Sequence, residues 1–366
     1  MSTYDAVIVG AGMFGATLAR ELTDRGRKVL VIDKRLHLAG SCFTERIEGI
    51  AVGRFGPHVF HTNDERIWKY AQRFAQFLPF ITRTKASHRG RLYSFPINLM
   101  TLYQLWGVRT PEEAKRKLEA VRHPIPNPAN LEEWVLSTLG REIYETFIYG
   151  YTVKQWGREP SRLPASIVKR LPVRLTFDDN YFTDVYQGVP SGGYTPMFER
   201  MLEGIEVRLS CDYLTDRSVL DRMGQVVYSG RIDEYFDYCL GPLEFRTCLF
   251  ENKVLEGDYQ GNAVINYTDM EDQYTRIVEH KHFARVNSAK TVVTWEYPRS
   301  CGKEDAPLYP VNDQANMDLF DQYRRLPTRA IFAGRLGMYR YVDMHQVIAQ
   351  AWRIADALTG TRRVPE

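Results

Sequence analysis

The first 35 residues carry three apolar patterns in an order that predicts a strand, a helix and a second strand. Residues 4–9 are apolar and β-branched, as in a buried parallel strand, and residues 28–32 form a second such run. Residues 16–22, between them, have the apolar spacing of a helix. This order is typical of the first unit of a parallel α/β sheet.

Two further patterns follow. Residues 99–171 have helical periodicity, interrupted by prolines near position 126, and Asn130 with Glu133 forms a capping pair that predicts a helix running toward Tyr149. Strand-like segments come next. They are Glu206–Leu209, Gln225–Ser229, Ala263–Tyr267, Arg276–Val278 and Thr291–Tyr297.

The end of the chain is predicted to return to the first sheet. Residues 330–334 form a short buried-type strand, and a helix follows from near Asp343 through Ile354. Such a return after a long insertion favours an FAD enzyme over an NAD dehydrogenase, which more often completes its Rossmann domain contiguously. We therefore expect an α/β fold: a Rossmann-type FAD-binding domain with an inserted helical domain and an antiparallel β-sheet domain. The predicted boundaries are 1–80, about 190–230 and about 315–366 for the FAD-binding domain, about 95–185 for the helical domain, and about 80–95 and 231–314 for the sheet domain.

The turn after the first strand has the spacing G-x-G-x-x-G. Gly10 permits the tight turn, Gly12 lets the backbone approach a pyrophosphate, and Gly15 allows close packing of helix and strand. Asp33, at the end of the second strand, is placed to accept hydrogen bonds from an adenosine ribose. Residues 34–41 add cations and small residues that suit a pyrophosphate. Dinucleotide binding is favoured over a glycine-rich turn without a ligand.

Composition narrows the class of protein. The chain has 366 residues, enough for two or three subdomains, and its net charge of +3 is too small to indicate a nucleic acid partner. No apolar run approaches membrane-spanning length, so no membrane insertion is expected, and the N-terminal strand leaves no room for a signal peptide. Five scattered cysteines without C-x-x-C spacing favour reduced thiols, a cytoplasmic location and no structural metal site.

A second candidate site lies at residues 54–63, where His58 and His61 stand three positions apart beside glycine. Histidines at this spacing can bind a metal, but no cysteine or carboxylate accompanies them at ligand spacing. A histidine loop packed against an isoalloxazine ring is the better interpretation. His280 and His282, farther along, are expected to alternate on a strand in structural roles.

Residues 149–157 alternate aromatic rings with hydrogen-bond donors and contain two glycines. Arg170 and Arg174 follow, and arginine binds phosphate oxygens bidentately. Aromatic rings next to arginines indicate a nucleotide diphosphate. Two alternatives stay open, since Phe147 and Tyr151 also fit an ordinary helix core and the arginines also fit solvated surface charges.

Longer motifs match one family almost from end to end. They are GAGMFG (10–15), FGPHVFHTND (55–64), GYTVKQWG (150–157), KRLPVRLTFDDNYF (169–182), GVPSGGYT (188–195), IDEYFDY (232–238), GNAVINYTD (261–269), YTRIVEHKHF (274–283), YPVND (309–313) and AGRLGMYRYVDMHQVI (333–348). With these motifs in this order, the chain resembles the bacterial UDP-galactopyranose mutases.

The resemblance implies an isomerase rather than an oxidoreductase. UDP-galactopyranose and UDP-galactofuranose would be interconverted with no net redox change, with N5 of reduced FAD attacking the anomeric carbon. NADH or NADPH would serve only to reduce the flavin. The furanose would supply surface polysaccharide, and a homodimer is implied.

The resemblance also implies the site, residue by residue. A mobile substrate loop at about 157–174 would carry Arg170 over the substrate. Catalytic roles fall on Arg170, Arg276, His58 and Asp343. Substrate-binding roles fall on Phe147, Tyr151, Thr152, Trp156, Arg170, Tyr181, Asn266, Arg276, Tyr309 and Tyr341. Cofactor-binding roles fall on Gly10, Gly12, Met13, Phe14, Gly15, Asp33, Lys34, Gly40, Ser41, His58, Val59, Arg335, Tyr341, Asp343 and Met344. Asp343 also suits a plain helix N-cap.

Four positions depart from the family pattern. Ala39 and Ser41 flank a glycine where Gly-Gly-Asn is usual, Pro57 replaces an alanine, and Thr82 stands where many members place an asparagine near the substrate. These changes cluster near the sugar, so a mutase of the same mechanism acting on a 2-acetamido or deoxy sugar is a second interpretation. An amine-oxidase-type flavin oxidoreductase and a non-enzymatic binding protein are the remaining rivals.

Overall fold

The chain forms many short strands and helices over residues 3–169 and 172–360, the residues that this computed structural model describes. The strands are β1 (Ala6–Val9), β2 (Val29–Asp33), β3 (Thr44–Ile47), β4 (Ile50–Gly53), β5 (Phe60–Thr62), β6 (Phe77–Pro79), β7 (Thr84–His88), β8 (Arg91–Phe95), β9 (Tyr186–Pro190), β10 (Glu206–Leu209), β11 (Gln225–Tyr228), β12 (Phe245–Glu256), β13 (Val264–Tyr267), β14 (Arg276–Glu279), β15 (Lys290–Ser300), β16 (Tyr309–Pro310) and β17 (Ile331–Phe332). The helices are α1 (Met13–Asp24), α2 (Glu65–Gln72), α3 (Leu99–Trp106), α4 (Pro111–Val121), α5 (Leu131–Thr138), α6 (Arg141–Ile143), α7 (Gly150–Trp156), α8 (Ser166–Lys169), α9 (Tyr194–Met201), α10 (Tyr213–Leu220), α11 (Ile232–Tyr235), α12 (Lys281–Ala284), α13 (Gln314–Tyr323), α14 (Gly334–Gly337) and α15 (Met344–Thr359). A π-helical segment, Tyr144–Tyr149, joins α6 to α7, and 3-10 turns occupy Gly40–Cys42 and Pro160–Arg162.

A parallel sheet carries the glycine-rich turn. Its strand order is β10-β2-β1-β11-β17, with Val7 of the central β1 in register with Leu30 of β2 and Val226 of β11. All five strands correspond to segments that the sequence predicts, and the Rossmann-type α/β arrangement is confirmed. The helix α1 begins earlier than predicted, because the residues just after Gly12 already form its first turn.

The predicted return of the chain is also confirmed. Strand β17 pairs with β11, with Val227 opposite Ile331. The last helix, α15, buries Ile348 and Ala351 in the same core cluster as Ala16 of α1. Segments from the first and last parts of the described chain therefore share one sheet and one hydrophobic core.

The second large sheet has seven strands in the order β16-β12-β15-β14-β13-β7-β8. Most of its pairs are antiparallel, as expected, but β7 runs parallel to β13, so the sheet is mixed. The hairpin β7–β8, which precedes the helical insertion in the sequence, forms one edge of this sheet. The sequence did not indicate β12, because its last eight residues, 249–256, do not alternate regularly between apolar and polar and are mostly exposed.

The helical insertion differs in detail from the prediction. Helix α5 does begin after Asn130, whose side-chain oxygen accepts the Glu133 N–H at 2.9 Å. It ends at Thr138 instead of running to Tyr149, because Gly140 turns the chain with φ +87° and packs against Val121. None of the described helices has the length and apolarity that crossing a membrane requires.

The prediction that His280 and His282 alternate on a strand is wrong. Strand β14 ends at Glu279, His280 precedes the short helix α12, and His282 lies within that helix. Of these two histidines, His280 is buried and His282 is partly exposed.

Candidate active site

A cavity of about 580 Å³ lies where the mixed sheet, the helical insertion and the C-terminal segment meet. The structure brings most of the residues assigned from the family resemblance into its wall. Those residues are Ser41, His58, Val59, Phe147, Tyr151, Thr152, Trp156, Tyr181, Asn266, Arg276, Tyr309, Arg335, Tyr341, Asp343 and Met344. Arg170 lies outside the described residues.

The glycine-rich turn has the geometry of a phosphate cradle. A Cβ at Gly15 would lie 1.8 Å from the Gly10 carbonyl oxygen, so only glycine lets α1 pack this close to β1. Gly12 is the extended N-cap of α1, without a side-chain cap. A Cβ at Gly12 would meet nothing nearer than the Cα of Gly40 at 3.8 Å. The space beside Gly12 therefore fits a pyrophosphate at a helix N-terminus.

Asp33 ends β2 beside this turn and is buried. Its Oδ2 accepts the Ala11 N–H at 2.8 Å and its Oδ1 accepts the Arg35 N–H at 2.9 Å. Carboxylate oxygens keep further lone pairs, which leaves acceptor capacity for a ribose. Lys34 instead pairs with Glu234 at 3.0 Å and does not line the cavity.

The loop after β2 packs directly on the glycine-rich turn. A Cβ at Gly40 would lie 3.1 Å from the Gly12 Cα, and the next residue, Ser41, lines the cavity. Met13 and Phe14 form the first turn of α1 with buried side chains. First-turn N–H groups lack intrahelical partners, so these two residues offer donors to a phosphate.

His58 is a neutral residue of the cavity wall. Burial lowers the pKa of His58 to about 4, and the positive charge of Arg335 acts in the same direction. Its Nδ1 lies 3.0 Å from the Gly56 carbonyl oxygen. A neutral ring must donate that bond from Nδ1, which leaves Nε2 as an acceptor.

Arg276 of β14 is held from behind by a carboxylate. Its Nε donates to Glu296 Oε2 at 2.8 Å, and its Nη2 lies 3.5 Å from the Tyr309 hydroxyl. Burial raises the pKa of Tyr309, so its hydroxyl is a neutral donor at ordinary pH. A fixed guanidinium next to neutral hydroxyls is suited to binding phosphate oxygens.

Two further tyrosines extend this polar surface. The rings of Tyr309 and Tyr341 are nearly parallel, with centroids 5.8 Å apart, and the Arg335 guanidinium lies 4.7 Å from the centre of the Tyr341 ring. Tyr181 donates its backbone N–H to the Thr82 carbonyl at 2.7 Å, which places both residues in the same stretch of cavity wall.

An aromatic part of the cavity wall comes mainly from α7 and the π-helical segment before it. Phe147 is almost completely buried against the hairpin β7–β8, where its ring meets Tyr93 edge-on at 5.2 Å. Tyr151, Thr152 and Trp156 follow on α7. Burial raises the pKa of Tyr151 to about 12. This wall suits stacking on a nucleobase.

Arg174, the second arginine singled out in the sequence, lies outside the cavity wall. It donates to the Asn180 carbonyl at 2.6 Å and pairs with Asp178. Its side chain is only 13% exposed, so Arg174 is neither part of the cavity wall nor a solvated surface charge.

The sequence analysis missed one residue behind the cavity wall, Glu296, and several residues of the wall itself. Glu296 stands behind Arg276, and the only signal for it was its place in a strand-like segment. Asp184 Oδ2 lies 2.7 Å from His61 Nδ1, and the His61 ring stacks on Phe182 at 3.7 Å. His345 lies edge-on to His61 at 5.2 Å. Sequence spacing could not have predicted these contacts of His61, because the partners are far away in the chain.

Within the described part of the chain, two groups of side chains have the spacing of metal ligands. His61, Asp343 and His345 form one group, but His61 Nδ1 already bonds Asp184. The other group consists of Asp258, Glu279 and His282. There, Lys281 pairs with Asp258, and the Glu279 carboxylate accepts three backbone N–H groups of residues 259–261.

Comparison with known proteins gives consistent matches. Residues 146–341 match the family model described as UDP-galactopyranose mutase, and residues 8–74 match that of an NAD(P)-binding Rossmann-like domain. The chain is 42% identical to a probable UDP-galactopyranose mutase of Klebsiella pneumoniae, over 97% of this chain and 95% of the relative. It is 41% identical to a dTDP-fucopyranose mutase of Escherichia coli, over 94% of this chain and 96% of the relative.

The fold agrees with these matches. A crystal structure of reduced UDP-galactopyranose mutase superposes with a TM-score of 0.77, covering 100% of this chain and 99% of that chain at 15% identity. The long alignments and the matching family model lead to one conclusion. The chain belongs to the flavin-dependent UDP-galactopyranose mutase family.

Proposed function

We propose that the protein is an isomerase that interconverts UDP-galactopyranose and UDP-galactofuranose. The carrying observation is one cavity lined both by Arg276, Tyr309 and Tyr341 and by aromatic residues of α7. The guanidinium and phenols suit a diphosphate, and the aromatic wall suits a base. Family membership supplies the reaction type.

The cofactor in this proposal is FAD, with its adenosine diphosphate at the glycine-rich turn. When bound and reduced, FAD supplies the nucleophile for the anomeric carbon of the sugar. His58 and Val59, with Arg335, Asp343 and Met344, are proposed to surround the isoalloxazine. NADH or NADPH is the proposed reductant. The glycine turn supports FAD because a Cβ at Gly12 would occupy the space left for the phosphates.

The protein's part in the reaction is to hold the leaving nucleotide. Arg276 is proposed to bind the diphosphate together with Arg170, and Tyr181, Tyr309 and Tyr341 donate hydrogen bonds as charge develops. Tyr151 stacks on uracil, with Phe147, Thr152 and Asn266 around it, and Trp156 contacts the sugar. Retaining the diphosphate allows it to reattach after the ring has changed size.

A second candidate is the same reaction on a different nucleotide sugar. The near-equal identities to a UDP-galactopyranose mutase and a dTDP-fucopyranose mutase leave the sugar open. Thr82 lines the cavity, and its hydroxyl has no hydrogen-bond partner among the described residues. A buried hydroxyl without a partner is a place where substrates with different hydroxyl groups would be told apart.

The deciding experiment uses dithionite-reduced holoenzyme. It is incubated with UDP-galactopyranose, UDP-N-acetylgalactosamine and dTDP-fucopyranose, and the products are separated by chromatography. We expect a furanose from UDP-galactopyranose only after reduction; a furanose from another sugar alone would select the second candidate. Bleaching of oxidised flavin by a substrate, without furanose, would instead indicate an oxidoreductase. A cytoplasmic homodimer that supplies furanose for surface polysaccharide completes the proposal, and its dimeric state is testable by light scattering.

A further inference from the structure

Arg246 is a buried arginine of β12 that does not line the cavity. Its side chain lies against the end of α7, the helix that carries Tyr151 and Trp156. A buried guanidinium requires several acceptors, and the identity of these acceptors indicates what it holds in place.

The acceptors are at the carbonyl end of α7. Arg246 Nε donates to the Gln155 carbonyl at 2.9 Å, and Nη2 donates to the Lys154 carbonyl at 3.0 Å. Nη1 donates to Ser300 Oγ at 2.9 Å. The last carbonyls of a helix have no partner within it and carry the negative end of its dipole, so a cation here is favourable.

The turn that ends α7 packs on the same guanidinium. Gly157 is the C-cap with φ +66°. A Cβ at Gly157 would lie 2.7 Å from Arg246 Nη1 and 3.0 Å from its Cζ. The helix therefore ends directly against Arg246, immediately after Trp156.

The rest of α7 is attached to the mixed sheet by other contacts. A Cβ at Gly150 would lie 2.0 Å from the Thr268 carbonyl oxygen, so the helix start touches the sheet backbone. The Lys154 ammonium donates to the carbonyls of Tyr267, Asp269 and Tyr274 at 2.9, 2.6 and 2.9 Å. These contacts hold the start and middle of the helix, while Arg246 holds its end.

We propose that Arg246 is a positioning residue that fixes the carbonyl end of α7 and thereby keeps Tyr151 and Trp156 in place for the nucleotide sugar. This inference rests on the proposed function of the cavity. Lysine is a poor substitute, because one ammonium cannot reproduce the planar fork that bonds two successive carbonyls and Ser300.

The first test compares Arg246→Gln and Arg246→Lys with wild type, as FAD-loaded proteins. Calorimetric titration gives the Kd for UDP, and steady-state assays give turnover. We expect the Gln variant to keep its FAD, to bind UDP roughly 10-fold more weakly and to lose roughly 100-fold in turnover, with Lys in between. Wild-type affinity for UDP in Arg246→Gln would overturn the inference.

Arg217→Gln is the matched control, because Arg217 also donates to a carbonyl at a helix end, that of Tyr235 in α11. Arg217 lies outside the cavity wall. We expect this variant to have a lower melting temperature with the Kd for UDP unchanged. An equal loss of UDP affinity in both variants would mean general destabilisation and would also overturn the inference.

Gly157→Ala tests the contact from the other side. In the wild-type background the new Cβ meets the guanidinium, so UDP affinity should fall more than it does in an Arg246→Ala background, where the space is free. Equal losses in both backgrounds would contradict the proposed contact. If Arg246→Gln fails to fold, Gly157→Ala and Arg246→Lys still test the inference. Failure of the proposed function is distinguishable, since wild type itself would then not bind UDP.

Discussion

Arg276 and Glu296 stand directly opposite each other on the antiparallel strands β14 and β15, with Nη2 of the arginine 2.6 Å from Oε2 of the glutamate. Glu296 is 1% exposed, whereas the Arg276 side chain is 24% exposed. The carboxylate thus holds one edge of the guanidinium from within the sheet. The remaining N–H groups are left for the cavity.

Replacing Arg276 with Ala should abolish turnover, because the diphosphate would lose its fixed cation. FAD should stay bound, since the glycine-rich turn is untouched. Arg276→Lys serves as a control that keeps the charge but not the fork, and it should retain partial activity. Turnover and flavin absorbance are measured together. Near-normal turnover in the Ala variant would refute the phosphate-binding role.

Glu296→Gln should destabilise the fold. The change leaves the partly exposed Arg276 guanidinium without its buried counter-ion, which costs on the order of 2 kcal/mol. Urea unfolding gives the free energy. Glu251→Gln is the control, because Glu251 pairs with Lys253 at the surface and its replacement should leave stability nearly unchanged. Similar losses in the two variants would mean that Glu296 has no special role.

Gly12→Ala should separate folding from cofactor binding. Its φ of −83° suits alanine, and no described atom comes closer than 3.8 Å to the new Cβ, so the protein should fold normally. FAD content should drop sharply, because the methyl group fills the phosphate space. Absorbance at the flavin band and circular dichroism measure the two effects. Gly15→Ala is the contrast, since its Cβ would lie 1.8 Å from the Gly10 carbonyl oxygen and should disturb folding itself.

Tyr151 should act through its ring rather than its hydroxyl. Burial raises its pKa to about 12, so it carries no charge at neutral pH. Tyr151→Phe should bind UDP nearly as well as wild type, whereas Tyr151→Ala should bind roughly 10-fold or more weakly, in line with the loss of one stacked base. Calorimetric titration with UDP checks both. A large loss in the Phe variant would show that the hydroxyl matters instead.

His280 should make the fold less stable in mild acid. Burial lowers its pKa to about 4. An unfolded histidine binds a proton near pH 6.5, so the unfolded chain is protonated first as pH falls. The free energy of unfolding is therefore highest above pH 6.5 and falls as the pH decreases toward 4. Between pH 7 and pH 5 it falls by about 2 kcal/mol. Urea unfolding at both pH values should show a smaller loss in His280→Asn, while the exposed-site variant His123→Asn should behave like wild type.

The parallel sheet was predictable because its strands are short, apolar and bounded by turns. Buried β1 and β2 flank a glycine turn whose spacing has one common structural meaning. The break at Gly140 was harder to foresee. It depends on the approach of this glycine to Val121, a tertiary contact that helical periodicity cannot report.

The residues at the cavity likewise include some that the sequence could predict and some that depend on tertiary contacts. Motif resemblance identified Tyr151 and Arg276, because both lie in long continuous matches. Glu296 and Asp184 could not be assigned, since each acts through a partner distant in the chain, Arg276 and His61 respectively. Pairing across strands and between loops is set by the fold, and a single sequence does not record it.

The placement of β17 and α15 beside β11 and α1 has a consequence for synthesis of the protein. Arg335, Asp343 and Met344 of the cavity wall belong to this last segment. A ribosome delivers the glycine-rich turn before these residues. On the proposed function, a nascent chain therefore presents the turn that binds the phosphates before the residues that surround the isoalloxazine have been made. Stable capture of the flavin then has to wait until this later segment has been synthesised and folded.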